Sequence, residues 1–185
     1  MPIPAFDHND VLPPHLGNPA VRSDLSPYDC SSLEIVDRFA TSRERADILT
    51  GFFTFRAELH QRGLLRGYQW LDGSFLEDIE KLESRSPKDI DVLTVFWGYD
   101  LPFLNQLAVE VPAFIDRNES KRQFHVDHFP LFADESPEGA VEDTRYWIQL
   151  FTHRRNGVWK GMLKIPLGTV PNDAQALSLL QTKFP

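Results

Sequence analysis

A chain of 185 residues, 42% hydrophobic and 12% aromatic, carries enough apolar side chain to bury one ordinary core, and it reads as a single domain (29–185) behind an N-terminal arm (1–28). Its 27 acidic and 19 basic side chains leave a formal charge of -8, which excludes non-specific coating of nucleic acid and requires any polyanion to be met by a local basic patch. One cysteine, Cys30, excludes an internal disulfide framework and a cysteine-based zinc site; with no apolar run near the roughly 18 residues that span a bilayer, the expectation is a cytoplasmic protein with no membrane partner.

The arm holds six of the fourteen prolines, which remove backbone donors and fix φ, so an extended course is expected. "SSLE" (31–34) and "TSRE" (41–44) fit capping boxes, each opening a helix, and in the second helix Ala46, Leu49, Phe52, Phe53, Ala57 and Leu59 recur at helical spacing up to Gly63. "GYQWL" (67–71) predicts a short strand closed by an Asp72-Gly73-Ser74 turn, and 75–84 predicts a helix. Past Pro87, "DIDVLTVFW" (89–97) is the most strand-like run and is placed centrally in the sheet. A helix kinked or restarted at Pro112, a strand over 122–132, a loop over 133–142, a helix over 143–151, a strand over 157–167 and a closing helix over 172–184 complete the order. Trp70, Trp97, Trp147 and Trp159 are read as core, and Cys30 as inert.

Successive strand side chains alternate faces, so Asp89 and Asp91 point the same way, with Ile90 and Val92 opposite. Two close carboxylates repel unless a cation neutralises them, and a small set of hard oxygens suits Mg2+, with Mn2+ as a substitute. A third acid, Asp127, stands in "FHVDHF" on a later strand. Gly73 and Ser74 lie where a strand is expected to turn into a helix, where backbone N–H groups attract phosphate oxygens. A phosphate cradle, an acid pair and a distal acid together describe nucleotidyl transfer.

These residues resemble the nucleotidyltransferase superfamily of the DNA polymerase β type, whose signature is a Gly-[Gly/Ser] turn, an Asp-x-[Asp/Glu] strand and a distal acid. "WLDGSF", "PKDIDV", "VDHF" and "KG" are similar more narrowly to an uncharacterised bacterial family of short nucleotidyltransferase-like proteins. The resemblance implies an α+β fold with a mixed sheet flanked by helices and Asp89, Asp91 and Asp127 as catalytic metal ligands. It also implies Gly73, Ser74, Lys88 and Lys160 at the nucleotide, and Asp127 assisting deprotonation of an acceptor hydroxyl. The partners it implies are an NTP donor and an acceptor that is tRNA, a protein or a small molecule.

Two other functions fit parts of the pattern. Glu77, Asp78, Glu80 and Glu83 after the Gly-Ser turn are unfavourable beside a triphosphate, and they favour a non-catalytic module that binds nucleotide or a partner protein encoded nearby, as in toxin-antitoxin or phage-defence systems. A metal phosphohydrolase would instead use Asp89, Asp91, His125, Asp127 and His128, with His125 and Asp127 on one strand face. A basic corner, "HRRNGVWKG" (153–161), is the candidate landing site for a triphosphate or tRNA.

Overall fold

The computed structural model describes residues 3–185, so the first two residues of the expected arm lie outside it. Five strands form one mixed sheet: β1 (Tyr28–Asp29), β2 (Gly67–Asp72), β3 (Ile90–Phe96), β4 (Val126–Phe132) and β5 (Leu163–Pro166), in the order β1-β5-β2-β3-β4. β2 runs antiparallel to both β3 and β5, whereas β3–β4 and β1–β5 are parallel. Seven helices are described: α1 (Ser32–Phe39), α2 (Arg43–Gln61), α3 (Ile79–Glu83), α4 (Leu101–Glu110), α5 (Arg117–Phe124), α6 (Pro137–Phe151) and α7 (Val170–Lys183). The α+β class agrees with the sequence; β3 is an interior strand, but the centre of the sheet is held by β2. Among the described residues, no helix is long and apolar enough to cross a membrane.

The two faces of the sheet are covered unequally. Leu71, Ile90, Val92, Phe96, Val126, Leu163 and Ile165 join Phe52, Phe53, Phe55 and Leu59 of α2 in the larger core. On the reverse face Trp70, Leu93, Val95, Leu131 and Met162 meet only Phe151 and Trp147 of α6, a helix whose Val141, Tyr146, Ile148 and Leu150 are exposed. Alternation along each strand therefore sends Asp72, Asp91 and Asp127 to the thinly covered face.

Local chemistry sets the element boundaries. Ser31 and Glu34 form the expected reciprocal capping box on α1. On α2 the cap is Ser42, accepting from the Arg45 N–H, rather than Thr41. α5 continues through Phe124, so 122–124 is helix and not strand: Asp116 caps its start by accepting from Asn118 and Glu119, and the alternation of "RQFHVDHF" is coincidental there. α6 begins at Pro137 behind a Ser136 cap, within the segment expected to be loop, and β5 is confined to Leu163–Pro166 because 153–161 turns back on itself first. At Gly51 a Cβ would stand 2.0 Å from the Phe124 carbonyl oxygen. Only glycine lets α2 press on the end of α5, and that contact fixes where α5 presents its side chains.

The arm is packed into the domain. Val11 and Leu12 are fully buried. Asp10 O accepts from Asp78 N at 2.9 Å, Val11 bridges Glu77, and Leu12 O accepts from Gly161 N at 2.7 Å, so three successive residues touch two segments far apart in sequence.

Candidate functional site

Strand register assembles the acids. Asp72 pairs with Asp91 across β2–β3, and Asp91 pairs with Asp127 across β3–β4, giving a row of three carboxylates on neighbouring strands; Asp89 lies just before β3. All four line a cleft of about 690 Å³, together with Gly73, Ser74, Arg117, Lys121, Arg154 and Lys160. Gly73 has φ 88, and a Cβ there would stand 2.7 Å from Asp91 Oδ2. The Gly-Ser turn thus rests directly on the Asp91 carboxylate, in a backbone conformation that disfavours any side chain.

Beyond the turn the sequence expectation needs correction. Ser74 opens only a 3-10 turn to Leu76; Glu77 is then extended, and α3 is five residues long. Glu77 breaks the helix because its backbone bridges Val11 and its side chain is drawn inward, 4% exposed. The helix expected to start at the Gly-Ser turn is thus replaced by a 3-10 turn and a five-residue helix that begins at Ile79, so the expected phosphate cradle is reduced to the turn itself.

The acids that seemed unfavourable for a triphosphate are matched by cations from distant segments. Glu77 receives Lys160 Nζ at 3.1 Å and Arg154 Nε at 2.9 Å, while Glu83 receives Arg154 at 2.7 Å. Glu80 pairs with Arg45 at 2.7 Å, and Asp78 caps α3. Lys160 is itself buried, with Asp72 Oδ1 at 2.9 Å; that contact is electrostatic, without the alignment of a hydrogen bond. Burial works against its ammonium, but Asp72 and Glu77 outweigh it and hold the Lys160 pKa above its ordinary value. It lines the cleft as a fixed brace. Lys88 is exposed, lies before β3 begins and stands outside the cleft lining, so it is not gathered with the acids.

On the β4 side, Arg117 donates to Asp127 through Nε and through Nη2, the latter at 2.6 Å, and Lys121 Nζ bridges Asp127 at 2.7 Å and Asp89 at 3.0 Å. Burial raises the Asp127 pKa, but the hydrogen bonds from Arg117 and Lys121 prevail and hold it below the usual carboxylate range. Asp127 is therefore a poor base in this arrangement. Among the described residues Asp91 joins no ion pair; burial, then the charges of Asp72, Asp127 and Asp89, push its pKa up to about 7. Asp72 is also raised, chiefly by burial.

Among the described residues no group of three or more His, Cys, Asp or Glu is gathered closely enough to hold a metal ion, and Lys121 sits between Asp89 and Asp127 instead. In donor type and charge, Asp89, Asp91 and Asp127 nevertheless fit a hard divalent cation: all are oxygen ligands, and burial and the neighbouring carboxylates raise the Asp91 pKa to about 7 more than Lys160 lowers it.

The histidines do not join them. His125 is the exposed C-cap of α5 at φ 55, so it shares no strand face with Asp127. His128 is buried on the opposite face, bonded to Thr94 Oγ1 at 2.7 Å and to the Phe114 carbonyl at 2.9 Å through Nδ1, with its pKa pushed down to about 3 by burial. The basic corner folds as a turn closed by a bridge between His153 and Trp159, whose rings stack; Trp159 is 53% exposed and Trp97 40%, so neither is core. Arg117 escaped the sequence reading, although its spacing four residues before Lys121 on a capped helix was a usable signal.

Residues 4–166 match a family described as "Family of unknown function (DUF6932)", and the chain belongs to that family. No curated protein and no solved structure matches the chain.

Proposed function

We propose that the protein is a Mg2+-dependent nucleotidyltransferase that moves NMP from an NTP to a hydroxyl of RNA, a protein or a small molecule. The observation that carries this reading is the register that lays Asp127 beside Asp91, with Asp89 at the start of the same strand and the Gly73 backbone packed on the Asp91 carboxylate. Asp89, Asp91 and Asp127 are the residues that would hold the metal, which when bound neutralises polyphosphate charge and lowers the pKa of an attacking hydroxyl. Gly73 gives a polyphosphate close access to backbone, Lys160 braces the turn against Asp72 and Glu77, and Trp70 and Leu93 back the acids with a dry face. The test incubates the protein with each α-labelled NTP, Mg2+ or Mn2+ and a cell lysate. Transfer of label by the native protein, abolished in Asp89→Asn/Asp91→Asn, is expected; no label on any acceptor would sink the transferase reading.

One observation favours a second function. Every cation on the walls of the cleft except the exposed Arg155 is already paired with an acid of the protein, as suits a nucleotide- or partner-binding module without catalysis. Such a module is stabilised thermally by nucleotide and transfers nothing. The hydrolase has less support, since the His125–Asp127 pair it needs does not share a face.

A further inference from the structure

The cleft holds two kinds of cation. Lys160 is buried and held on both sides by Asp72 and Glu77, but Arg117 and Lys121 project from α5 at the rim with side chains 55% and 39% exposed. They stand four residues apart on one helix face, and both reach acids anchored on the sheet. Asp127 is 6% exposed at its side chain and cannot follow them, whereas a long rim side chain swings at little cost. The Arg117 guanidinium also lies 4.6 Å from the centre of the Phe129 ring, a seat it keeps if it releases Asp127. Ion pairs with so exposed a partner contribute little to stability and are readily exchanged.

Charge count fixes what they are exchanged for. Asp89, Asp91 and Asp127 face Arg117 and Lys121, two positive charges against three negative once Asp91 is ionised, and Asp91 joins no ion pair among the described residues. Asp72 Oδ1, deep in the same cleft, also accepts no hydrogen bond. A divalent cation held by the three ionised acids leaves one negative charge among them against the two α5 cations, a surplus of one positive charge at the mouth of the cleft. An anion carried in with the metal, such as the polyphosphate of a nucleotide, meets that surplus.

Resting on the nucleotidyltransferase reading, we infer that Arg117 and Lys121 are exchangeable counter-ions: they hold Asp89 and Asp127 in the metal-free protein, and turn to bind the polyphosphate of an incoming metal–nucleotide complex. Lys121 then has opposite effects on two ligands, competing with the bare metal and assisting the metal–triphosphate. A merely structural lysine has no such double sign.

The test measures Mn2+ binding from the EPR signal of the free ion, and binding of Mn2+·ATP by calorimetry, for wild type, Lys121→Gln, Lys121→Arg and Arg117→Gln. Removing the Lys121 charge is expected to tighten bare Mn2+ and weaken Mn2+·ATP, each about three- to tenfold, with Arg117→Gln following in both directions and Lys121→Arg staying near wild type. Unchanged thermal midpoints exclude loss of fold. If wild type binds both ligands but Lys121→Gln shifts them in the same direction or not at all, the counter-ion role is overturned and the transferase reading stands. If wild type binds neither, or Mn2+ alone, both are overturned.

Discussion

Each face of the sheet carries a chain of polar side chains running across the strands, and the two chains are finished differently. On the helix-covered face Arg56, fully buried, donates to Asp173 at 2.7 Å, Gln69 at 2.6 Å and Thr169 at 2.7 Å; Gln69 passes to Thr94 at 2.9 Å, Thr94 meets His128, and His128 meets the Phe114 carbonyl. One cation meets one anion, and each group from Arg56 to His128 has a partner, although the buried His60 ring beside Asp173 makes no hydrogen bond. On the open face Asp72, Asp89, Asp91 and Asp127 crowd one cleft, and Asp91 is left unmatched. A balanced network holds a fold together, whereas an unbalanced one that folding does not relieve is prepared for something absent from the chain.

The contrast is sharpest where one partner is removed. Arg56→Met should destabilise by about 3–5 kcal/mol in urea unfolding, because it strands Asp173 in the interior; a loss under about 1 kcal/mol would show that the closed network is not structural. The open face should respond with the opposite sign. Asp91 titrates near 7 when folded against 3.8 unfolded, so the unfolded chain loses its proton first and the native state is penalised increasingly from about pH 4 to 7, and fully above 7. Asp91→Asn should therefore stabilise the metal-free protein by on the order of 3 kcal/mol at pH 8 and by almost nothing at pH 4, as read from paired denaturation curves. A destabilised Asp91→Asn at pH 8 would dissolve the distinction between the faces. Thr94→Val keeps shape but strands Gln69 Nε2 and His128 Nε2, with an expected cost of about 1–3 kcal/mol. Smallest of all, Lys88→Gln should stay within about 0.5 kcal/mol of wild type and leave ATP binding unaltered.

How much of this the sequence disclosed depended on range. Asp89 and Asp91 on one face, the capping box at Ser31 and the existence of the β3 strand follow from neighbours in the chain, and each was legible. That Asp127 lies beside Asp91 depends on a parallel register between strands separated by two helices, which one sequence does not encode locally. The acids at 77–83 looked hostile to phosphate because Arg45, Arg154 and Lys160, which neutralise them, lie 35 to 83 residues away. His125 misled for the reverse reason: its alternation with Asp127 was real in the sequence, but the helix that Asp116 opens runs to Phe124, and His125 ends it as a left-handed C-cap.

The arm contacts at Asp10, Val11 and Leu12 set a dimension. Glu77 lines the cleft with Asp78 next to it in the chain, Gly161 follows Lys160, which lines it too, and three consecutive residues clasp both segments. The gap between those segments is thereby gauged by the covalent length of a strip of chain that belongs to neither, as a spacer sets the opening of a vice. Trimming the arm past Leu12 would remove the spacer along with the strap, and Lys160 would lose its calibrated distance from Glu77 without any residue of the cleft having been changed.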